Sequence, residues 1–402
     1  MIPLELSLLE PLGRLHARPW AGEVTGVQID SRRIEEGDLF VAVGAAGADF
    51  VRHALALGAA AALEPSEPHV ALATIAAAIR DRSSARVVGI TGSTGKTTTK
   101  DILFALLAPH RRTVASEGNY NNELGVPLTL CRIEHDTEVC ITEMGMRGLG
   151  QIAWLASFAK PDVGVITNVG PVHLEAVETI ENVARAKAEL IDALSPGGIA
   201  VVPDEPLLEP YLLRTDIEYR RVPALDDATE LPVTPSFTAR HQLQNTLTAL
   251  AAADALGVRA EGELVVEFSA LREQELELAD GVLLINDCYN ANPISMRAAL
   301  ENLAERAGPR RRVAVLGEMA ELGANAPAYH VEVGETVREL DVEVIAVGPL
   351  ARDYVANGRG QWVATAAEAA DALRRELRPG DVVLVKGSRA VGLEVVAENL
   401  TG

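Results

Sequence analysis

The chain has 402 residues, 48% of them hydrophobic and 23% charged, the composition of a soluble globular protein of two or three domains. A formal net charge of −21 argues against non-specific binding to nucleic acid or to an anionic membrane surface, because both need basic patches. Cys131, Cys140 and Cys288 form no C-x-x-C pair, which speaks against a disulfide framework or a zinc site and for a reducing compartment.

In chain order, residues 1–11 carry Glu5 and Glu10 and no basic stretch, so no signal peptide is expected there. Residues 1–82 read as a first domain, with strands at 24–29, 39–43 and 60–63 and a helix over 50–57. The apolar runs 54–63 and 70–79 fall short of the ~20 residues a membrane span needs. Residues 83–271 form a second block. Its strand at 87–90 leads into a Gly-rich turn and a helix over 96–107, and further strands are expected at 139–142 and 163–167. Residues 203–235 are the least regular, with loops and a few short strands expected. The third block, 272–402, repeats the rhythm with strands at 282–285, 312–316, 344–347 and 382–385. Strands alternating with helices predict an α/β fold of three domains with parallel sheets and right-handed crossovers.

Thr91-Gly92-Ser93-Thr94-Gly95-Lys96-Thr97 is a strand–turn–helix junction of the kind that cradles phosphates. Backbone N–H groups and the helix dipole face the anion, Lys96 reaches the outer phosphates, and the Thr97 hydroxyl holds Mg²⁺. The general pattern places its first Gly where Ile90 stands, so the match is incomplete. Open α/β sheets bind ligands at the carboxyl ends of their strands, and Thr97, Glu143 and His173 all fall there. A hydroxyl, a carboxylate and an imidazole beside polyphosphate suit Mg²⁺, although His is an unusual ligand for that ion. The structural alternatives are a surface acid at Glu143 and a satisfied loop histidine at His173. In the helical stretch 178–194, Ile180, Val183, Lys187, Leu190, Ile191 and Leu194 share one face at about 3.6-residue spacing. A lysine in that stripe either snorkels to solvent or faces a site where its proton is lost.

These motifs resemble the Mur ligase family, which builds the peptide of bacterial cell-wall precursors. The loop 91–98 is similar to its ATP loop, which also lacks the first Gly. Gly118-Asn119-Tyr120-Asn121-Asn122-Glu123-Leu124-Gly125 resembles the segment beside its substrate and phosphates. Glu143 matches its first metal-binding acid, residues 168–175 the segment whose His binds a second Mg²⁺, and Lys187 the lysine several members carry as a carbamate. Asp287-Cys288-Tyr289-Asn290-Ala291-Asn292-Pro293, with residues 315–323 and 384–389, is similar to the branch that adds D-alanyl-D-alanine. The D-N-P-R motif of the branch that adds diaminopimelate or lysine is absent from the sequence.

The resemblance implies a small UDP-substrate domain, a central P-loop-like domain and a C-terminal Rossmann-like domain. It also implies an ATP-dependent ligase that joins UDP-N-acetylmuramoyl-tripeptide to D-alanyl-D-alanine through an acyl phosphate. The alternatives are a sister amino-acid-adding ligase, a nucleotide-driven switch or motor, and a non-catalytic binder of the same substrate. ATP and Mg²⁺ are the implied cofactors, with a carbamylated Lys187; a cytoplasmic monomer is expected. ATP would be held by Gly92, Ser93, Thr94, Gly95, Lys96, Thr97 and Thr98, with His241, Asn245 and Arg272. The metal ligands would be Thr97, Glu143, His173 and Lys187. Substrate contacts would come from Ser31, Arg32, Asn121, Asn122, Asp287, Tyr289, Asn290 and Asn292. The segment after Gly44 and the stretch between Lys187 and His241 are shorter than the family pattern.

Overall fold

The computed structural model describes residues 1–226, 228–272, 274–356 and 359–401. Its sheets draw on residues 4–65, 86–264 and 274–386. The first main sheet runs Gly13–Ala17, Ala61–Pro65, Asp38–Val41, Gly26–Gln28, antiparallel at the first pairing and parallel at the other two. The single strand expected at 24–29 is divided here. Glu23–Val24 pairs with Leu4–Glu5, whereas Gly26–Gln28 joins the larger sheet. Thr25 stands between the two, donating to Gly37 and accepting from the Met1 amine, so the chain changes partner at that residue. The apolar run after Pro68 forms the helix Pro68–Arg82, which buries Leu72, Ile75 and Ile79. That helix packs against the helices Gly125–Leu130 and Gln151–Ala159, so the core continues from the first block into the second.

The central sheet is wholly parallel. Its order is Glu218–Val222, Ile199–Pro203, Val163–Ile166, Arg86–Thr91, Val139–Glu143, Thr113–Ala115. Buried strands of this type read as continuous apolar runs, and alternate residues serve opposite faces. Val88 and Ile90 pack with Ile102 and Leu103 of the helix Lys96–Leu107 and with the helix Arg240–Ala255. Val87 faces the other way, toward the core that includes Leu190 and Ile191. Pairing Ile166 with Thr91, and Ile90 with Glu143, brings three strand ends to one edge.

The third sheet has the order Gln274–Glu277, Leu283–Asn286, Val382–Lys386, Arg312–Gly317, Glu343–Val347, Gly360–Val363. Only its first pairing is antiparallel. The helices Pro293–Ala307 and Ala326–Glu339 cover one face, and Ala366–Glu376 and Glu394–Thr401 the other. Between 203 and 235 the chain makes short strands and a 3-10 turn, Glu209–Tyr211. Among the described residues, no helix is long and apolar enough to cross a membrane.

Candidate functional site

Strand Arg86–Thr91 ends in a turn that only glycine allows at two positions. Gly92 has φ +154, and a Cβ there would lie 1.8 Å from Thr167 Oγ1. Gly95 is left-handed, with φ +75, and its Cβ would lie 2.5 Å from Asn245 Oδ1. Between them the loop is tied to the segment after Val163–Ile166. Ser93 N–H donates to Asn168 O at 3.1 Å, and Ser93 Oγ donates to Gly170 O at 2.9 Å. Thr94 N–H donates to Asn168 Oδ1 at 2.9 Å, and Asn168 Nδ2 donates to Thr94 Oγ1 at 2.7 Å. Lys96 then opens the helix and folds its ammonium back onto Gly92 O at 2.9 Å. Burial lowers its pKa from the ordinary range; nearby Glu143 opposes that shift and Arg272 adds to it.

Glu143 ends its strand fully buried. Thr97 Oγ1 donates to its Oε2 at 2.8 Å, and Asn121 Nδ2 donates to its Oε1 at 2.7 Å. The surface-acid alternative for Glu143 therefore falls. Asn122, expected beside substrate, turns its Oδ1 to the N–H groups of Leu124 and Gly125 at 3.2 and 3.0 Å. It thereby satisfies two backbone N–H groups at the start of the helix Gly125–Leu130, the competing use that short amide side chains find near a helix start. Lys100 was not anticipated. Its ammonium is buried, donates to Ser116 O at 2.9 Å and Gly118 O at 3.1 Å, and pairs with Asp101 at 2.7 Å. It thereby fixes the start of the segment that delivers Asn121. The available signal was its i, i+3, i+7 alignment with Leu103 and Leu107.

Lys187 lies on the helix Ile180–Asp192 and is 1% exposed, so it does not snorkel. Among the described residues, none hydrogen-bonds or pairs with its ammonium. Burial, with Lys96 nearby, pushes its pKa well below the ordinary lysine range. His173 precedes the short helix Leu174–Val177 in a left-handed conformation, φ 53. Its Nδ1 pairs with Glu321, which follows strand Arg312–Gly317 of the third sheet. Burial lowers the His173 pKa; Glu321 opposes this, and Lys96 and Lys187 reinforce it.

Across the cleft, Lys386 makes a short ion pair with Asp287 and donates to Asn290 O at 3.1 Å. Asn292, expected to touch substrate, spends its side-chain oxygen on Ser295 N–H at 2.9 Å, while Ser295 Oγ accepts from Asn292 N–H at 3.1 Å. This reciprocal cap starts the helix Pro293–Ala307. The Arg272 guanidinium stacks 4.2 Å over the Tyr289 ring, and the Tyr289 hydroxyl accepts from Asn119 Nδ2.

A cleft of about 490 Å³ lies between the two halves. Residues 93–98, His241, Asn245, Arg272, Asp287, Asn290 and Asn292 line it, joined by Asn168, Phe268 and Lys386. Ser31 and Arg32 lie elsewhere. Arg32 is exposed and grips Asp30 at 2.9 and 2.7 Å, which draws the Asp30 carboxyl down to about 2. Ser31 is buried against His53 Nδ1 at 3.1 Å.

Thr97 and Glu143 offer two converging hard oxygens at the phosphate loop, a donor set suited to Mg²⁺. No cluster of three or more His, Cys, Asp or Glu among the described residues could hold a metal alone, so oxygens of a bound nucleotide would complete the shell.

Residues 90–220 match the Mur ligase middle domain, and residues 271–389 the Mur ligase, glutamate ligase domain. The chain is 37% identical to the UDP-N-acetylmuramoyl-tripeptide–D-alanyl-D-alanine ligase of Mycobacterium bovis, over 94% of this chain and 92% of that protein. It is 30% identical to the Bacillus subtilis enzyme of the same name, over 94% and 93%. Among solved structures, MurF from Acinetobacter baumannii superposes with a TM-score of 0.86 at 27% identity, over 99% and 98%. MurF from Thermotoga maritima in complex with ADP gives 0.79 at 30%, over 94% and 97%. A likeness that takes in both walls of the cleft and nearly the full length of each relative places this chain in the Mur ligase family.

Proposed function

We propose that the chain is an ATP-dependent ligase joining the tripeptide carboxylate of UDP-N-acetylmuramoyl-tripeptide to the amine of D-alanyl-D-alanine, a step in peptidoglycan precursor synthesis. The observation that carries this reading is a phosphate loop facing, across one cleft, the Asp287–Lys386 wall of the third domain. Full-length relatives bearing that activity in their names support it.

The substrate carboxylate oxygen attacks the γ-phosphorus of ATP, and ADP leaves. The resulting acyl phosphate is attacked at its carbonyl carbon by the dipeptide amine. The tetrahedral intermediate expels phosphate, the nitrogen loses a proton, and an amide remains. Catalysis is then mostly positioning and charge stabilisation. Lys96 neutralises charge on the moving phosphoryl group. Thr97 and Glu143 would hold one Mg²⁺, and such an ion would supply charge neutralisation at the phosphates. His173 and Lys187 would hold a second once Lys187 is carbamylated. The buried amine suits that change, because only a neutral amine adds CO₂, releasing a proton and gaining anionic oxygens.

On this reading residues 1–82 receive the UDP portion through Ser31 and Arg32, residues 83–271 bind ATP, and residues 272–402 close over it. His241 and Asn245 contact the adenosine end, and Arg272 the phosphates. Asn121 and Asn122 flank the substrate, and Asp287, Tyr289, Asn290 and Asn292 meet the incoming dipeptide. The enzyme works as a cytoplasmic monomer.

The test is phosphate release from ATP with UDP-N-acetylmuramoyl-tripeptide, with and without D-alanyl-D-alanine. Release that ignores the dipeptide overturns the assignment, and release driven by a single amino acid identifies a sister ligase. Lys96→Ala should abolish turnover. Lys187→Ala should lose activity and regain part of it with a short-chain carboxylate; an unaffected variant removes Lys187 from the mechanism.

A further inference from the structure

His173 and Glu321 are 148 residues apart and belong to different sheets' domains, yet they meet side chain to side chain. Both are non-glycine residues in the left-handed region, His173 at φ 53 and Glu321 at φ 62. Such backbone persists only where surrounding structure holds it, and it concentrates at functional sites. The surroundings here do hold it. Glu175 N–H reaches Glu321 O at 3.4 Å, and a Cβ on Gly323 would lie 3.4 Å from Glu175 N. Nearby Tyr329 packs against both the core shared by the first two blocks and that of the third.

A carboxylate can only accept a hydrogen bond, so the hydrogen of a neutral His173 must sit on Nδ1. Free histidine in water carries it mostly on Nε2. The contact therefore reverses the preferred tautomer and leaves the Nε2 lone pair available. Metal-ligating histidines are oriented in this way by a carboxylate on the second ring nitrogen. His173 shares its surroundings with Lys96 and Lys187, since each of those charges acts on it.

We propose that Glu321 is a positioning residue for the ligase reaction. It fixes the tautomer and orientation of His173 from the opposite domain, so that the His173 side of the site is complete only when the third domain is docked. The catalytic consequence rests on the ligase reading, whereas the tautomer does not.

The test uses full-length enzyme with ¹⁵N-labelled histidine and bound ADP, with the His173 ring signals identified by their loss in His173→Ala. In the wild type the Nδ1 signal is protonated and the Nε2 signal is not. Glu321→Ala should move hydrogen to Nε2 and lower kcat about 10- to 100-fold with little change in the KM for ATP. Glu321→Gln, whose amide oxygen still accepts, should keep the Nδ1–H form and recover part of kcat. The proposal is overturned if the ring pattern is the same in Glu321→Ala as in the wild type, or if Glu321→Ala alters KM alone. Wild-type protein without ligase turnover would sink the functional reading and leave the ring-pattern result standing.

Discussion

The Asp287–Lys386 pair lends itself to a quantitative prediction. Lys386 is 1% exposed and Asp287 6%, and the ammonium has Asn290 O as a second acceptor. Truncating one partner of a buried pair strands the other charge, at about 3–5 kcal/mol. Because both residues line the cleft, water can reach a stranded Asp287, which favours the low end. Lys386→Met should therefore destabilise the third domain by about 3 kcal/mol, equivalent to a melting shift on the order of 10 °C for a domain of this size. Replacing both partners with apolar residues of similar volume removes the stranded charge. Lys386→Met combined with Asp287→Leu should thus recover most of the loss, with a coupling of at least about 2 kcal/mol. Scanning calorimetry of the wild type, both single variants and the double variant closes the cycle. Additive losses, or a Lys386→Met shift within about 0.5 kcal/mol, would refute the reasoning.

Three further outcomes are expected. Gly95→Ala places a Cβ on a left-handed residue 2.5 Å from Asn245 Oδ1, so ADP affinity by titration calorimetry should fall by about tenfold or more; unchanged affinity would mean the loop can reshape. The Lys187 amine is depressed in the folded state, so the unfolded chain binds that proton more readily. Stability from the neutral form is complete above the ordinary value of about 10.4 and is lost as pH falls through the lowered native value. In bicarbonate-free buffer, the melting advantage of Lys187→Met over wild type should accordingly be largest near neutrality and shrink toward pH 10, and a constant difference would contradict the burial account. Burial raises the Cys131 and Cys140 thiols to about 12 and Cys288 to about 11, so an aromatic disulfide reagent at pH 8 should react with the three thiols only after unfolding.

The sequence was most informative where function and local structure use the same residues. The loop from Gly92 to Thr97 needs glycines and a helix start, and both are short-range signals. Lys187 was conspicuous because a charge interrupted an apolar stripe. The central and third sheets were legible because buried parallel strands are apolar throughout. Residues 24–29 misled because strand pattern does not say which sheet a strand joins. Asn122 and Asn292 carry a different ambiguity: the same short amide that can touch a ligand also satisfies backbone N–H groups near a helix start, and each side-chain oxygen does so here. Glu321 stood inside a recognisable segment, but its role was hidden for a third reason. Its partner is supplied by tertiary structure alone, and nothing around residue 321 announces a histidine 148 positions earlier.

The cross-ties of Ser93 and Thr94 to residues 167–170 have a consequence for the order of events. A cradle held open by its own chain can load nucleotide with no partner present. The His173 contact, by contrast, also needs Glu321 of the third domain. On the ligase reading, the phosphate cradle is then a property of the central domain's own geometry, whereas whatever His173 contributes is conditional on a second domain.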